Sequence, residues 1–417
     1  NKSMKYKCQF LLAIIIIFSN NIFAQSENIS LLPNYSNQSF YSMENGEIKN
    51  NDATMWDIAF STTQMSSSIR INGGMGAELY LYPHGDTTDW NSFNSSNLSS
   101  WTPVYNSDTN WFVGAFDKHS TSAFDMGWGM YNITTHNVLG DSLYAIKTTD
   151  GAWKKLWIRS LTSGTYYFTF SDFDGSNEQN QYAQKNQDST ANFLYYSLDL
   201  VSPIINYEPN KQDWDITFTK YITPVQGMAY GVTGVLSNNG VKVAQVDNLP
   251  NPSNYTDYYQ HTMINEMNSI GYDWKDFDMS SFSYLINQNR CYFIKDLNEK
   301  IWRVIFSSFE GSSTGNIEFN KLDLTSSLSI DKLNRNISSF ELYPNPTSGD
   351  VTIIYDSNSD LVEVKIFDIT GKQVYSESII GSSFQAKSLH TSNLKAGIYL
   401  VSINSNGIII KKKLIVN

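Results

Sequence analysis

Apolar and polar residues alternate with a period of two in the regular stretches of this chain, which is the spacing of half-buried β-strands. Trp56, Ile58 and Phe60 fall on one side with Asp57 and Ala59 on the other, and Trp214, Ile216 and Phe218 repeat the arrangement around Asp215. Beyond a Ser/Asn-rich link from Thr325 to Ser339, short apolar runs follow at Val351–Tyr355, Val362–Phe367, Gln373–Tyr375, Ile398–Ile403 and Ile408–Val416. Asp368-Ile369-Thr370-Gly371 and Asn404-Ser405-Asn406-Gly407 supply hairpin turns between them. The stretches 85–140 and 235–290, rich in Asn, Ser, Tyr and Trp, read as long loops, with one short helix predicted over Tyr258–Met267. The pattern predicts an all-β protein: two related β-rich modules in tandem, then a C-terminal immunoglobulin-like β-sandwich.

The tandem reading comes from self-comparison. Trp56-Asp57-Ile58-Ala59-Phe60 returns as Trp214-Asp215-Ile216-Thr217-Phe218, and Tyr144-Ala145-Ile146-Lys147 returns as Tyr292-Phe293-Ile294-Lys295. Leu156-Trp157-Ile158 lines up with Val304-Ile305-Phe306, and Tyr167-Phe168-Thr169-Phe170 with Asn316-Ile317-Glu318-Phe319. Asp suits strands poorly, so its return at Asp57 and Asp215 points to a carboxylate that accepts hydrogen bonds from nearby backbone. The expected boundaries are a signal segment at 1–24, copy one at 25–190, copy two at 191–325, a linker at 326–340 and a final module at 341–417.

Composition narrows the class. The 417 residues carry 29 Lys+Arg and 40 Asp+Glu, a net charge of −11, against the basic face a nucleic-acid binder needs. Residues 25–340 hold 19 basic and 33 acidic side chains, whereas 341–417 hold seven of each. The start reads as an export signal, with Lys5 and Lys7 before an apolar run from Phe10 to Phe18 and cleavage expected after Ala24. That run is about half the length of a membrane span, and no transmembrane segment is expected in the mature chain. Cys8 precedes the apolar run, so Cys291 alone remains after cleavage and no internal disulfide can form.

The last module closely resembles the C-terminal sorting domain of the type IX secretion system of Bacteroidetes. The matching residues are Leu342-Tyr343-Pro344-Asn345-Pro346-Thr347, then Val364 to Lys372 with Gly371, then Leu394 to Val401 with Gly397 and Tyr399, and the closing Lys-Lys-Leu-Ile-Val. The resemblance implies an interaction of 341–417 with the type IX secretion machinery and a cargo that is secreted or held on the outer-membrane surface. The two copies resemble the HmuY haem-binding family, all-β carriers of haem. Copy one carries Trp56 to Phe60 followed by Asn72-Gly73-Gly74, and Tyr144 to Gly151 followed by Lys155-Leu156; copy two keeps the Trp-Asp and Tyr-Phe-Ile-Lys blocks and lacks the Asn-Gly-Gly.

That resemblance implies haem as cofactor, and haem or host haemoproteins as partners. Iron would be held between two His or Met side chains across an apolar slot. His136, eight residues before Tyr144, is the best positional match, and His119, Met126 and Met130 are the candidate partners. Copy two offers Tyr284 at the equivalent position, and His261 with Met263 and Met267. The alternative is a surface adhesion module that binds glycan or protein without haem, with Trp90, Trp101, Trp111 and Trp128 either as exposed platforms or as a loop-covered core.

No enzyme is expected. Gly311-Ser312-Ser313-Thr314-Gly315 matches G-x-S-x-G but falls between two strands rather than at a strand-to-helix turn. Asp172-Phe173-Asp174-Gly175 resembles the start of a calcium loop, with its glycine too early and no bidentate Glu after it.

Overall fold

The computed structural model describes residues 24–325, 337–357, 361–380, 383–391, 393–405 and 408–417, so the expected signal segment lies outside them but for Ala24. The chain is all-β and divides into two compact units after Asp323. The first unit opens with β1 (Gln25–Ser30), β2 (Asn37–Ser42), β3 (Gly46–Asp52), β4 (Ile58–Ser61), β5 (Ile69–Ile71), β6 (Glu78–Leu81) and β7 (Pro103–Val104). It continues through β8 (Gly129–Asn132), β9 (Asn137–Gly140), β10 (Tyr144–Lys147), β11 (Trp153–Thr162), β12 (Thr165–Ser171), β13 (Gln179–Gln184), β14 (Phe193–Ser197) and β15 (Ser202–Ile204). The rest are β16 (Ile216–Val225), β17 (Met228–Ser237), β18 (Lys242–Val246), β19 (Lys275–Asp278), β20 (Ser283–Ile286), β21 (Cys291–Lys295), β22 (Ile301–Phe309) and β23 (Asn316–Asp323).

Four antiparallel sheets stack in this unit. The first runs β13-β12-β11-β10-β6-β7, with the β8–β9 hairpin joined through β9 to β11; the second runs β15-β14-β4-β5. Ile58, Phe60, Tyr144, Leu156, Phe168 and Tyr196 fill the space between them. The third sheet runs β17-β16-β2-β3 and the fourth β1-β23-β22-β21-β18, with Tyr41, Ile216, Phe218, Tyr292, Val304 and Phe319 between them. The second and third sheets meet through Phe40, Trp56, Ala59, Phe193, Tyr195, Tyr207 and Trp214. Trp56 therefore does not share a face with Ile58 and Phe60 as strand alternation predicts. The chain is not yet in a strand at Trp56, and its indole turns to the interface between the halves.

The two halves have one topology, but not along the expected boundaries. Tyr196 opposite Ile58 recurs as Tyr41 opposite Ile216, and Tyr144 opposite Leu156 recurs as Tyr292 opposite Val304. A register shift after Ile158 in β11 recurs after Phe306 in β22. The equivalents of β13, β14 and β15 in the second half are β1, β2 and β3: residues 25–52 complete the second half, and residues 193–204 complete the first. Phe168 faces Ile158 as Phe319 faces Phe306, so the β12 and β23 segments match two residues away from their sequence alignment.

Buried carboxylates hold these sheets in place. Asp57 Oδ1 accepts from Thr149 N (2.8 Å) and Oδ2 from Leu198 N (2.8 Å); Asp215 Oδ2 accepts from Met43 N (2.7 Å), the equivalent of Leu198. Asn72 Nδ2 donates to the carbonyls of Ala53 and Trp56, and Asn238 Nδ2 donates to those of Lys211 and Trp214. Copy two thus keeps the asparagine of the Asn-Gly-Gly block in Asn238-Asn239-Gly240. The first glycine of the block is replaced by Asn239; at Gly74 a Cβ would overlap the carbonyl of Lys220 on β16. Between the halves, Glu208 Oε1 accepts from Asn192 Nδ2 (2.7 Å) and Trp214 Nε1 (3.2 Å), and Oε2 from Tyr195 Oη (3.1 Å). Arg70, buried beneath Trp111 at 5.1 Å, donates to the carbonyls of Ser107, Asn110 and Trp111, and Trp111 Nε1 reaches Ser237 O (2.8 Å) in the other half.

The second unit contains β24 (Ile337–Tyr343), β25 (Val351–Ser357), β26 (Leu361–Asp368), β27 (Gln373–Ile380), β28 (Ser383–Leu389), β29 (Gly397–Ser405) and β30 (Ile408–Val416). Sheets β24-β25-β28 and β27-β26-β29-β30 enclose Val351, Ile353, Tyr355, Val364, Ile366, Val401 and Ile403. Strand β24 begins inside the stretch expected to be linker, because Phe340 and Leu342 are needed in this core. The predicted helix over Tyr258–Met267 reduces to one 3-10 turn, Tyr258–Gln260, after which Ile264 bridges to Val243 and Met267 is buried beside Tyr221 and Leu236.

Deleting residues 25–52 removes three strands of the second half, and the full chain is expected to lose the cooperative unfolding transition of the first unit, as read by calorimetry and near-UV circular dichroism. Burial pushes the carboxyls of Asp215 up to about 6, and of Glu208 and Asp117 up to about 7. The folded chain then holds protons that the unfolded chain has released, so these groups make unfolding easier as pH rises from about 4 to 7. In urea titrations over that range, Glu208→Gln is expected to gain stability relative to wild type as pH rises; a constant difference would contradict the assignment.

Candidate binding cleft

The halves differ where the second one adds structure. Strands β16 and β17 are ten residues long, whereas their equivalents β4 and β5 have four and three. Phe60 opposite Ile69 corresponds to Phe218 opposite Val235, so Met228–Thr233 extends β17 beyond anything in the first half. Gln226 and Gly227, both at positive φ (51° and 82°), form the two-residue turn at the tip of this arm. The second difference is the β19–β20 hairpin. Its counterpart β8–β9 is laddered onto β11, but β19–β20 pairs with neither neighbouring sheet.

Between the arm and this hairpin lies a cleft of about 470 Å³ whose walls include Tyr35, Lys220, Tyr230, Tyr272, Phe277, Tyr284 and Phe309. Its floor is a ring stack: Tyr284 meets Phe309 edge-on at 4.6 Å, Phe277 meets Tyr284 at 5.1 Å, and Tyr35 lies parallel to Phe309 at 5.8 Å. At the bottom, the buried Lys275 ammonium sits 4.3 Å from the Trp274 ring centre and 4.6 Å from that of Phe309, and donates to Thr233 O (2.7 Å) and Tyr272 O (3.2 Å). Burial pulls its pKa down to about 7. Tyr230 is 61% exposed, and the hairpin presents Phe282 and Met279 to solvent at 76% and 70%.

The candidates drawn from the sequence lie elsewhere, apart from Tyr284. His136 stands at the β8–β9 hairpin tip, exposed, with Nδ1 2.8 Å from Tyr131 Oη. His119 is exposed beside a cleft that also includes Tyr105 and Pro224, Met126 packs against the core of the first half, and Met130 is exposed on β8. No hydrogen bond or ring contact joins any two of these four among the described residues. His261 Nε2 bonds Tyr255 Oη (2.8 Å) and its ring stacks on Phe293, separately from Met267. Trp101 and Trp128 are buried; Trp90 is half-buried against Trp157 and Lys155, and Trp111 bridges the halves, so these indoles are loop-covered core rather than platforms. Asp172 is engaged by Asn177 and Ser176 in the β12–β13 turn, and Gly311 to Gly315 form the β22–β23 turn.

In the second unit the Pro344-Asn345-Pro346-Thr347 segment is stitched to the last strand. Asn345 Nδ2 donates to Lys413 O (2.7 Å), Asn345 Oδ1 accepts from Ile415 N (2.9 Å), and Thr347 N donates to Ile415 O (2.9 Å). Gly371 takes the positive-φ position of the turn that Asp368 caps, Gly397 opens β29, and Tyr399 Oη donates to Lys395 O (2.8 Å). The sorting-motif residues other than Gly371 thus gather around the ends of β29 and β30. The cleft aromatics other than Tyr284 were missed in the sequence because Tyr and Phe are frequent throughout the chain; the one usable signal was the extra length between Trp214 and Gly240.

Residues 341–417 match the secretion system C-terminal sorting domain, which marks the chain as a secreted or cell-surface protein. Among curated proteins none matches. Among solved structures, one described as "Biofilm associated protein - BSP domain" aligns with 92% of this chain and 82% of its own at 10% identity; its TM-score of 0.19 is too low to carry an argument.

Lys275 is expected to titrate near pH 7, seen in the 13Cε shift of labelled protein and assigned by its loss in Lys275→Met. The unfolded chain keeps this proton to about 10.5, so the group makes unfolding harder as pH rises from 7 to 10. A midpoint near 10 would refute the burial argument.

Proposed function

We propose that the first unit is a non-enzymatic binding module that the sorting domain delivers to the cell surface or its surroundings, and that it takes its ligand in the cleft between the β16–β17 arm and the β19–β20 hairpin. The observation that carries this reading is the pairing of exposed Tyr230 and Phe277 in the walls of a concave site floored by Tyr284 and Phe309. Apolar rings left in solvent around a concavity are the ordinary mark of a recognition surface. Because this arm and hairpin depart from the first half, the duplication supports a task that only the second half performs.

The full-length chain, applied to arrays of glycans and of immobilised surface proteins, is expected to bind a restricted set, with Tyr230→Ala/Phe277→Ala weakening that binding at least tenfold. Undiminished binding by the double variant would remove the cleft from the function. Haem capture through His136, which the family resemblance implies, makes a different prediction: a sharpened Soret band on titration with haemin, lost in His136→Ala. The cleft reading expects no such band.

A further inference from the structure

Resting on that reading, we propose that the cleft accepts an extended polypeptide segment with apolar side chains at alternate positions, which adds as a strand to the outer edge of β17 at Ala229–Thr233.

The edge is defined by the ladder's alternation. Val235 N donates to Gly271 O (2.9 Å) and Gly271 N to Val235 O (3.1 Å), on the side of β17 away from β16. In an antiparallel strand every second residue faces the same way, so Thr233, Gly231 and Ala229 also turn their N–H and C=O groups outward. Pro224 agrees with this parity: lacking an N–H, it sits opposite Ala229, in a pair that exchanges no bonds with it. The Thr233 carbonyl is taken by Lys275 Nζ (2.7 Å), but among the described residues no hydrogen bond reaches the outward groups of Gly231 or Ala229.

The first half shows what a closed edge looks like in this fold. There the side chain of Asn106 plugs the outer edge of β5, accepting from Ile71 N (3.0 Å) and donating to Ile71 O (2.7 Å). The equivalent of Ile71 in the second half, Ser237, is likewise covered, its N–H donating to Met267 O (2.7 Å), but this covering stops short of the β17 extension, where Gly231 and Ala229 have no such plug. Free strand edges are templates for pairing, and proteins usually cover or blunt them. This one is stopped at one end by Lys275 and left bare at Gly231, within the aromatic cleft, and at Ala229 beyond it.

The chemistry of the occupant follows. A row of outward peptide groups is matched by another extended backbone, which supplies main-chain bonds while alternate side chains enter the neighbouring cleft. Gly231 leaves space at the centre of the edge, since a Cβ there would meet only the side chain of Ile222, and a glycine within a strand often marks the close approach of another backbone. The aromatic walls, Tyr35, Tyr230, Phe277, Tyr284 and Phe309, call for apolar side chains at those alternate positions.

The probe is a set of fluorescein-labelled, end-capped octapeptides alternating lysine with valine, leucine or tyrosine, titrated with the full chain and followed by anisotropy. Saturable binding is expected from at least one. It should weaken at least tenfold when alternate amides of the peptide are N-methylated, and likewise in Gly231→Pro, which removes an outward N–H without touching the β16 ladder. Ala229→Pro serves the same purpose if circular dichroism shows Gly231→Pro misfolded. Equal binding of the N-methylated peptide, indifference to both prolines, absence of binding by the whole set, or equal binding of counterparts with serine in place of valine, leucine or tyrosine would each overturn the proposal. A glycan-array signal that depends on Tyr230 and Phe277 without peptide binding would overturn strand addition while leaving the cleft reading in place.

Discussion

The first unit depends on one pairing, the ladder that lays β1 antiparallel against β23, with Ile29 opposite Ile317. Without it the fourth sheet ends at β23, and the apolar faces of Ile317 and Phe319 lose Ile29 and Leu31 from their covering. The same N-terminal segment then runs through β2, whose Phe40 and Tyr41 point to opposite faces of the third sheet, one into the interface between the halves and the other into the second core. Removing this segment therefore opens two layers at once. Neither half is a separable domain, because the chain enters the second half before it builds the first.

How much of this could be read from the residues alone follows from the range of the interactions. The period-two pattern, the repeat, the Asp368–Gly371 turn of the last module and the role of Asp57 and Asp215 were legible, since each rests on neighbours in sequence or on a residue type conspicuous in its setting; the expected turn at Asn404–Gly407 includes residues outside those described. The exchange of strands was not: β2 and β14 share little beyond the tyrosines Tyr41 and Tyr196, and strand pairing over such distances leaves no local trace. The shift of Trp56 to the opposite face escaped for a related reason, because alternation holds only inside a strand and the strand begins at Ile58. The cleft was illegible because its parts come from the β16–β17 arm, the β19–β20 hairpin and Tyr35 near the start of the chain. No spacing rule connects these.

The repeated positions and the divergent ones do different work. What recurs is the framework: the buried carboxylates, the asparagines that tie down the carbonyls before each strand, and the register shift in the long strand. What differs is a strand pair that the second half alone extends, leaving a stretch of open edge, and a hairpin that one half ladders to its sheet and the other holds apart. Duplication thus provides a rigid partner for a copy that is free to change, with Trp111 and Glu208 fastening one to the other.

The ladder between the two ends of this unit also sets an order of events. Ser30 Oγ donates to Thr314 O across 284 residues of chain, so the first strand of this unit cannot be paired until the last one exists. Contacts of such long range close slowly, since the entropy of the intervening loop must be given up before they stabilise anything. A unit built this way stays incomplete until its final strand, β23, has been made.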